Sequence, residues 1–511
     1  SIAMTCDTES EDKRRAYLDF IENVQPKLSE FADAFNHRLA GHPALDELPP
    51  RHDLMIKRIL TDIAIFREEN IPLQVEEAKL ETEHSTITGA MTVEFDGEER
   101  TFSQMALYFE NTNRSIREAA WRAVVERMEQ DSERLSGIYD ELIRIRHQIA
   151  LNAGFDDYRP YIFEAKHRYD YSIDDCLEFH DSIERVCVPM MHELQESRRE
   201  ALGVATLRPW DVGEKSGGGV DIHGRPPLAP FEDVERLISG CSNVFHGMSP
   251  ELGGMFDMLR ERNSLDLESR KGKAPGGYQA NLEKTRIPFI FMNAAGTHDN
   301  LSTMLHEAGH AFHSCYSSNL ELIGDRNPPI EFAEVASMSM ELMSQPQWSE
   351  FYGDEDARRA KLEDLEKIVC FLPWMATIDA FQHWVYANPG HTHEERSEQW
   401  LELRRRFGPR TDWSGFNELK ETSWQSQLHL FQVPFYYIEY GIAQLGAIQL
   451  WQHHRRDSTD GLARYARAMK LGNTKPLPEL FEAAGLDLGF DEGHVASLIG
   501  ELRVAMVEIG A

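Results

Sequence analysis

The sequence predicts a mainly α protein with two lobes, and three observations carry that reading. Apolar residues recur at helical spacing along most of the chain. Strand-like alternation is confined to two short stretches. The length, 511 residues, is more than one hydrophobic core ordinarily serves.

Helical patterns run through 14–40, 53–69, 174–202, 231–262, 355–387, 395–407 and 435–471. Another, from about Ser115 to Ala153, sets Trp121, Val124, Met128, Leu135, Tyr139 and Leu142 on one recurring face and stops at Gly154. One strand region lies around Thr86 to Phe102, where Asp96-Gly97 signals a hairpin turn. A second is Ile287 to Asn293. Its Pro288 argues for an edge strand, because proline cannot donate to a ladder. Gly213 to Pro230 is rich in glycine and proline (Gly217-Gly218-Gly219, Pro226-Pro227) and reads as a loop or lobe boundary. The expected division is a mainly helical N-terminal lobe over 1–210 and a lobe over 211–511 that carries the motif described next, the two interleaved.

Composition excludes several partner classes. A net charge of −33 repels nucleic acid phosphate and anionic lipid, so neither is expected as a partner. Six cysteines are spread without a CxxC pair, which suits a reducing compartment better than a disulfide framework. No basic segment followed by an apolar stretch opens the chain, and no apolar run approaches a membrane span. The expected location is the cytoplasm.

The segment Leu305-His306-Glu307-Ala308-Gly309-His310-Ala311-Phe312-His313 contains HExxH. On a helix, His306 and His310 are one turn apart and can hold one zinc ion with imidazole nitrogens. Glu307 sits about 100° round the helix. From there it can reach a water beside the metal without being a ligand, the placement a general base requires. Leu301, Met304, Leu305, Ala308, Phe312 and Cys315 form one apolar stripe, and His306, His310 and His313 face away from it. A histidine that merely fills a core would be expected within the stripe.

Catalytic zinc takes three protein ligands and keeps one position for water. After the turn Gly324 to Pro329, a second helix runs from Glu331 to Glu341, with Glu331, Glu334 and Glu341 on one face of an otherwise apolar element. Carboxylates in that setting are costly unless paired or bound to metal. Glu334 is the expected third ligand. Glu331 and Glu341, with His313, are expected around the ligands, where the carboxylates could orient the histidines or simply form ion pairs. A second cluster, His391-Thr392-His393-Glu394-Glu395, follows the turn Asn388-Pro389-Gly390 and lacks the one-turn spacing, so a solvated helix start is expected there.

The pattern His306-Glu307-x-Gly309-His310-x-x-His313 followed by Phe332-Ala333-Glu334-Val335-Ala336-Ser337 resembles the extended signature of the M3 zinc peptidases, the thimet oligopeptidase and oligoendopeptidase F family. Pro288 to Gly296, and Pro434-Phe435-Tyr436-Tyr437-Ile438-Glu439-Tyr440-Gly441, are similar to segments of the oligoendopeptidase F branch. The resemblance covers roughly 115 to 470. It implies a helical fold whose two lobes enclose a deep channel, with one zinc ion per chain on the channel floor and a small sheet beside the zinc-binding helix. It implies short unfolded peptides as substrates, cut at internal bonds, and the exclusion of folded proteins. The strand near Ile287 would pair with peptide backbone, which makes Phe289, Phe291 and Asn293 expected substrate contacts. The turn Gly276-Gly277-Tyr278 would be a lip over the substrate. The family's tyrosine and histidine pair would correspond to Tyr440 and His429, with Tyr437 or Tyr436 close by. A phenol near its ordinary pKa of about 10 is a neutral donor that can bind the oxyanion formed when water attacks a peptide carbonyl.

Overall fold

The computed structural model describes residues 1–213 and 219–510, so Gly217 and Gly218 of the expected boundary loop lie outside the described residues. Helices make up most of it, with one two-stranded and one three-stranded sheet. The long pattern from Ser115 to Ala153 is two helices, Arg114–Glu129 and Ser132–Asn152, broken at Gln130-Asp131. Gly154 ends the second as expected, with a φ of 91° that favours glycine.

The first sheet is the hairpin β1 (Thr92–Phe95) and β2 (Glu98–Thr101), joined by Asp96 and Gly97 at φ 55° and 76°. The strand region expected from Thr86 starts later, because the helix Asn70–Gly89 runs through Thr86 and Thr88. Their hydroxyls donate to the carbonyls of Thr82 and His84, each at 2.8 Å, which seats these β-branched residues in a helix.

The second sheet is β3 (Leu265–Glu268), β4 (Tyr278–Ala280) and β5 (Phe289–Ala294), in the order β3-β5-β4. The edge assignment for Ile287 to Asn293 is therefore corrected. β5 is the central strand, parallel to β3 and antiparallel to β4. Pro288 lies just before the strand, where no ladder donor is required, so it places no limit on the residues after it. β4 is an edge.

One apolar core runs from Ile87 to Ala505 and crosses the position of the expected lobe boundary. Across that position the helix Ile173–Ala201 packs along the helix Asp354–Ala387. Three helices frame the candidate site: the HExxH helix (His298–Ser317), the glutamate helix (Ile330–Met343) and the tyrosine helix (Tyr437–Arg456). The glutamate helix packs between the other two. Thr297 and Asn300 form a capping box that starts the HExxH helix. Gly309 sets how closely it approaches the glutamate helix. A Cβ there would sit 2.5 Å from Ser337 Cα and 2.7 Å from Ala336 O. The glycine inside the motif is thus a packing requirement that brings Glu334 within reach of both histidines.

Candidate active site

His306, His310 and Glu334 converge. Their donor atoms all lie within 4.8 Å of one another. Glu334 Oε2 is 3.1 Å from His306 Nε2 and 3.5 Å from His310 Nε2. His306 Nδ1 is 2.7 Å from Glu341 Oε1, a second carboxylate that fixes the orientation of the ring. Burial opposes the charge on Glu334, but the two imidazoles outweigh it and hold the carboxyl well below its ordinary range. Two imidazole nitrogens and one buried carboxylate, pre-aligned and open on one side, fit a catalytic metal centre.

Glu307 completes the arrangement. It is buried, and its Oε2 has no hydrogen-bond partner. Burial pushes its pKa up, and the two histidines pull it back. A side chain at Gly277 would begin 3.4 Å from Glu307 Oε1 and 3.2 Å from Thr303 Cγ2. The bare backbone of that glycine leaves room beside the carboxylate. A buried carboxylate with an unsatisfied oxygen, next in sequence to one of these donors, is chemically able to accept a proton.

The other two expected neighbours face elsewhere. Glu331 accepts from Tyr171 at 2.5 Å and lies 3.8 Å from Arg168, so its partners are not the histidines. His313 is 2 % exposed, packs on Phe332 at 6.0 Å, and makes no hydrogen bond at either ring nitrogen. Burial pushes its pKa down to about 3, which keeps it neutral. Three residues beyond His310, it has turned round the helix into the core.

The tyrosines come from the tyrosine helix and the residue before it. Tyr436 donates to Glu334 Oε1 at 2.5 Å. Tyr440 Oη is 3.4 Å from His429 Nε2. Gln427 Nε2 is 2.6 Å from His429 Nδ1, which assigns the imidazole proton to Nε2, facing Tyr440. Tyr437 donates to Gln427 Oε1 at 3.4 Å and is buried, so it braces the histidine from behind. Burial raises the pKa of all three phenols, leaving neutral donors. The turn before them is strained, because Phe435 is fully buried at φ 57°. Gln382 Oε1 accepts from Phe435 N–H at 2.6 Å, and Arg168 donates to Phe435 O.

The model of peptidase family M3 matches residues 107–498. The chain belongs to peptidase family M3. An oligoendopeptidase F homolog of Lactococcus lactis is 21 % identical over 76 % of this chain. An oligoendopeptidase F homolog of Mycoplasma pneumoniae is 25 % identical over 74 %. The matches span 63 % of the length of each of these two relatives. Among solved structures, a PZ peptidase A with an inhibitor has a TM-score of 0.94 and 29 % identity, covering 99 % of this chain and 89 % of that one. The oligoendopeptidase-F of Enterococcus faecium, at 17 % identity and a TM-score of 0.65, covers 100 % of this chain and 88 % of its own and shares the fold.

In this M3 chain the residues expected to touch substrate divide by position. Phe291 is fully buried, its ring stacked on Tyr278 at 4.7 Å, and offers no side-chain contact. Asn293 donates to the carbonyls of Ala274 and Gly276, each at 2.9 Å, and so shapes the glycine turn. Phe289 begins β5, paired with Ala280. Tyr278 Oη is 2.6 Å from Thr5 Oγ1, tying the turn to the N-terminal helix. Gly276 and Gly277 are exposed and lead into edge strand β4. Sequence reasoning missed Gln427, Arg168 and Gln382. Only Gln427 left a local signal, two residues before His429. The cluster at His391 is a helix start as expected, with Thr392 and Glu395 in a capping box.

Proposed function

We propose that this protein is a zinc-dependent endopeptidase of short unfolded peptides, with one catalytic zinc held by His306, His310 and Glu334. The observation that supports it best is the buried, unpartnered carboxylate oxygen of Glu307 beside the convergent His-His-Glu donors. A zinc ion bound there would supply Lewis acidity, polarising the scissile carbonyl and making a neighbouring water acidic. Glu307 takes the proton of the attacking water and passes it to the departing amine. Tyr440 donates to the oxyanion that develops, and His429, oriented by Gln427, steers that hydroxyl or donates beside it. Tyr436 holds Glu334, and Glu341 holds His306. Edge strand β4 offers its free backbone to an extended peptide, whose scissile bond is admitted beside Glu307 by the missing side chain of Gly277.

The substrate class rests on enclosure. We place the peptide in a channel between an N-terminal lobe and a catalytic lobe. A cavity of about 470 Å³ lined by residues from 106–129, 198–213, 219–225, 359–367 and 413–426 reaches Asp299 at the start of the HExxH helix, without including His306, Glu307, His310 or Glu334 in its lining. Among the described residues no helix is long and apolar enough to cross a membrane. The six cysteines are free, which suits the cytoplasm. The test is one cleavable sequence in two contexts, a free peptide of about five to twenty residues, extended at ~3.3–3.6 Å each, and a loop grafted into a stable domain. The free peptide is expected to be cut at an internal bond and the graft left intact. Comparable cleavage of both would rule out an enclosing channel.

A further inference from the structure

A second set of metal-type donors lies in the core, away from the HExxH helix. The helix Ile173–Ala201 places Cys176 and His180 one turn apart, and the helix Asp354–Ala387 does the same for Asp379 and His383. These helices pack against each other, and all four residues are buried. Donor atoms of Cys176, Asp379 and His383 all lie within 4.8 Å of one another. Asp379 Oδ2 is 2.9 Å from His180 Nε2 and 3.3 Å from His383 Nε2. Hydrogen bonding leaves this set incomplete. Asp379 Oδ1, His180 Nδ1 and both ring nitrogens of His383 have no hydrogen-bond partner. Buried polar groups are nearly always satisfied, and four orphan atoms in one cluster require a ligand or a cost.

We propose that Cys176, Asp379 and His383, with His180 as the fourth donor, hold a second divalent ion whose role is structural. The donors select zinc. A thiolate and two imidazoles disfavour magnesium and calcium, which take oxygen ligands. Donors on a tetrahedral zinc stand roughly 3.3–3.8 Å apart, given bond lengths of about 2.0–2.3 Å. Cys176, Asp379 and His383 offer theirs within 4.8 Å of one another, and Asp379 Oδ2 reaches His383 Nε2 at 3.3 Å and His180 Nε2 at 2.9 Å, so side-chain shifts on loading bring the set to that spacing. Charge balances as well. Binding releases the thiol proton of Cys176 to solvent, and one thiolate with one carboxylate then neutralises the ion between two neutral imidazoles. All four residues are buried, so the site is closed. Its place in the fold suggests what it steadies. The His383 ring packs on Phe435 at 5.1 Å, and Gln382 beside it accepts from Phe435 N–H. The ion would therefore pin the helix behind the strained turn that carries Tyr436 and Tyr440.

The test is zinc analysis of the full chain by mass spectrometry after dialysis without chelator. Wild type is expected to hold two equivalents, the His310→Ala variant one, and His310→Ala combined with Cys176→Ser none. Cobalt(II) loaded into the His310→Ala chain should show a thiolate-to-cobalt charge-transfer band. One equivalent in wild type with none in His310→Ala, or a cobalt spectrum without that band, would overturn the proposal. If Cys176→Ser prevents folding, the cobalt spectrum of the His310→Ala chain decides alone. Metal lost on Cys176→Ser reports this site and metal lost on His310→Ala the other, so the two proposals fail separately.

Discussion

The two donor clusters share one local device and differ in access. Each uses a pair of residues one turn apart on a helix, completed by groups from a neighbouring helix. Around Glu334, the side chains of His306 and His310 keep 17 % and 15 % exposure. Around Asp379, those of His180 and His383 keep 1 % and 5 %. The open cluster has a carboxylate with a free oxygen at its side and a glycine backbone opposite. The closed one includes a buried thiol, Cys176, and has aromatic neighbours in Phe407 and Phe435. Spacing on a helix decides whether an ion can be held. A vacant coordination position and a base beside it decide whether chemistry follows.

Three variants break or sharpen that contrast. The largest effect is expected from His310→Ala, which removes one of three ligands at the open cluster. Peptide hydrolysis should fall to background and one equivalent of zinc should be lost. Full zinc occupancy in this variant would move the open site off the HExxH helix. Next is Tyr440→Phe, which deletes one hydroxyl. Loss of a preorganised oxyanion donor typically costs about 10²–10³ in kcat. The loss should fall on kcat more than on KM, because the hydroxyl acts on the transition state. A change confined to KM would transfer the role to Tyr436 or His429. The smallest is Glu341→Gln, which weakens the partner of His306 Nδ1. Competition with a chelator should register about 10–100-fold weaker zinc binding. Unchanged affinity would make the 2.7 Å contact an ordinary ion pair.

The open cluster was legible in the sequence and the closed one was not, and the reason is geometric. His306, Glu307 and His310 are neighbours on one helix, so periodicity alone aligns them. Cys176 and His180 have the same spacing, but nothing local says that Asp379 and His383 lie against them. Glu331 shows the same limit. The helical wheel placed it on the face of Glu334, but Arg168 and Tyr171, which claim it, come from a distant segment. β5 was read as an edge because Pro288 was counted inside the strand, and it lies one residue outside. The pairing of Tyr440 with His429 came from the family resemblance and not from periodicity. A positive φ at Phe435 re-aims the chain just before Tyr436, and periodicity carries no record of that turn. The hairpin at Asp96-Gly97 and the stop at Gly154 were legible, because the residue type dictates the backbone there.

The measurement that most directly tests the central claim pairs zinc content with turnover in Glu307→Gln. The substitution is nearly isosteric, leaves the three ligands in place and removes the ability to accept a proton at neutral pH. Wild type and variant would be assayed on one blocked peptide, with products read by mass spectrometry and metal by elemental analysis of the same samples. Loss of a general base costs about 10²–10⁴ in rate. The expected result is full zinc occupancy with activity reduced by at least that factor. Near-normal turnover at full occupancy would contradict the account, because the unpartnered oxygen of Glu307 would then not be the base.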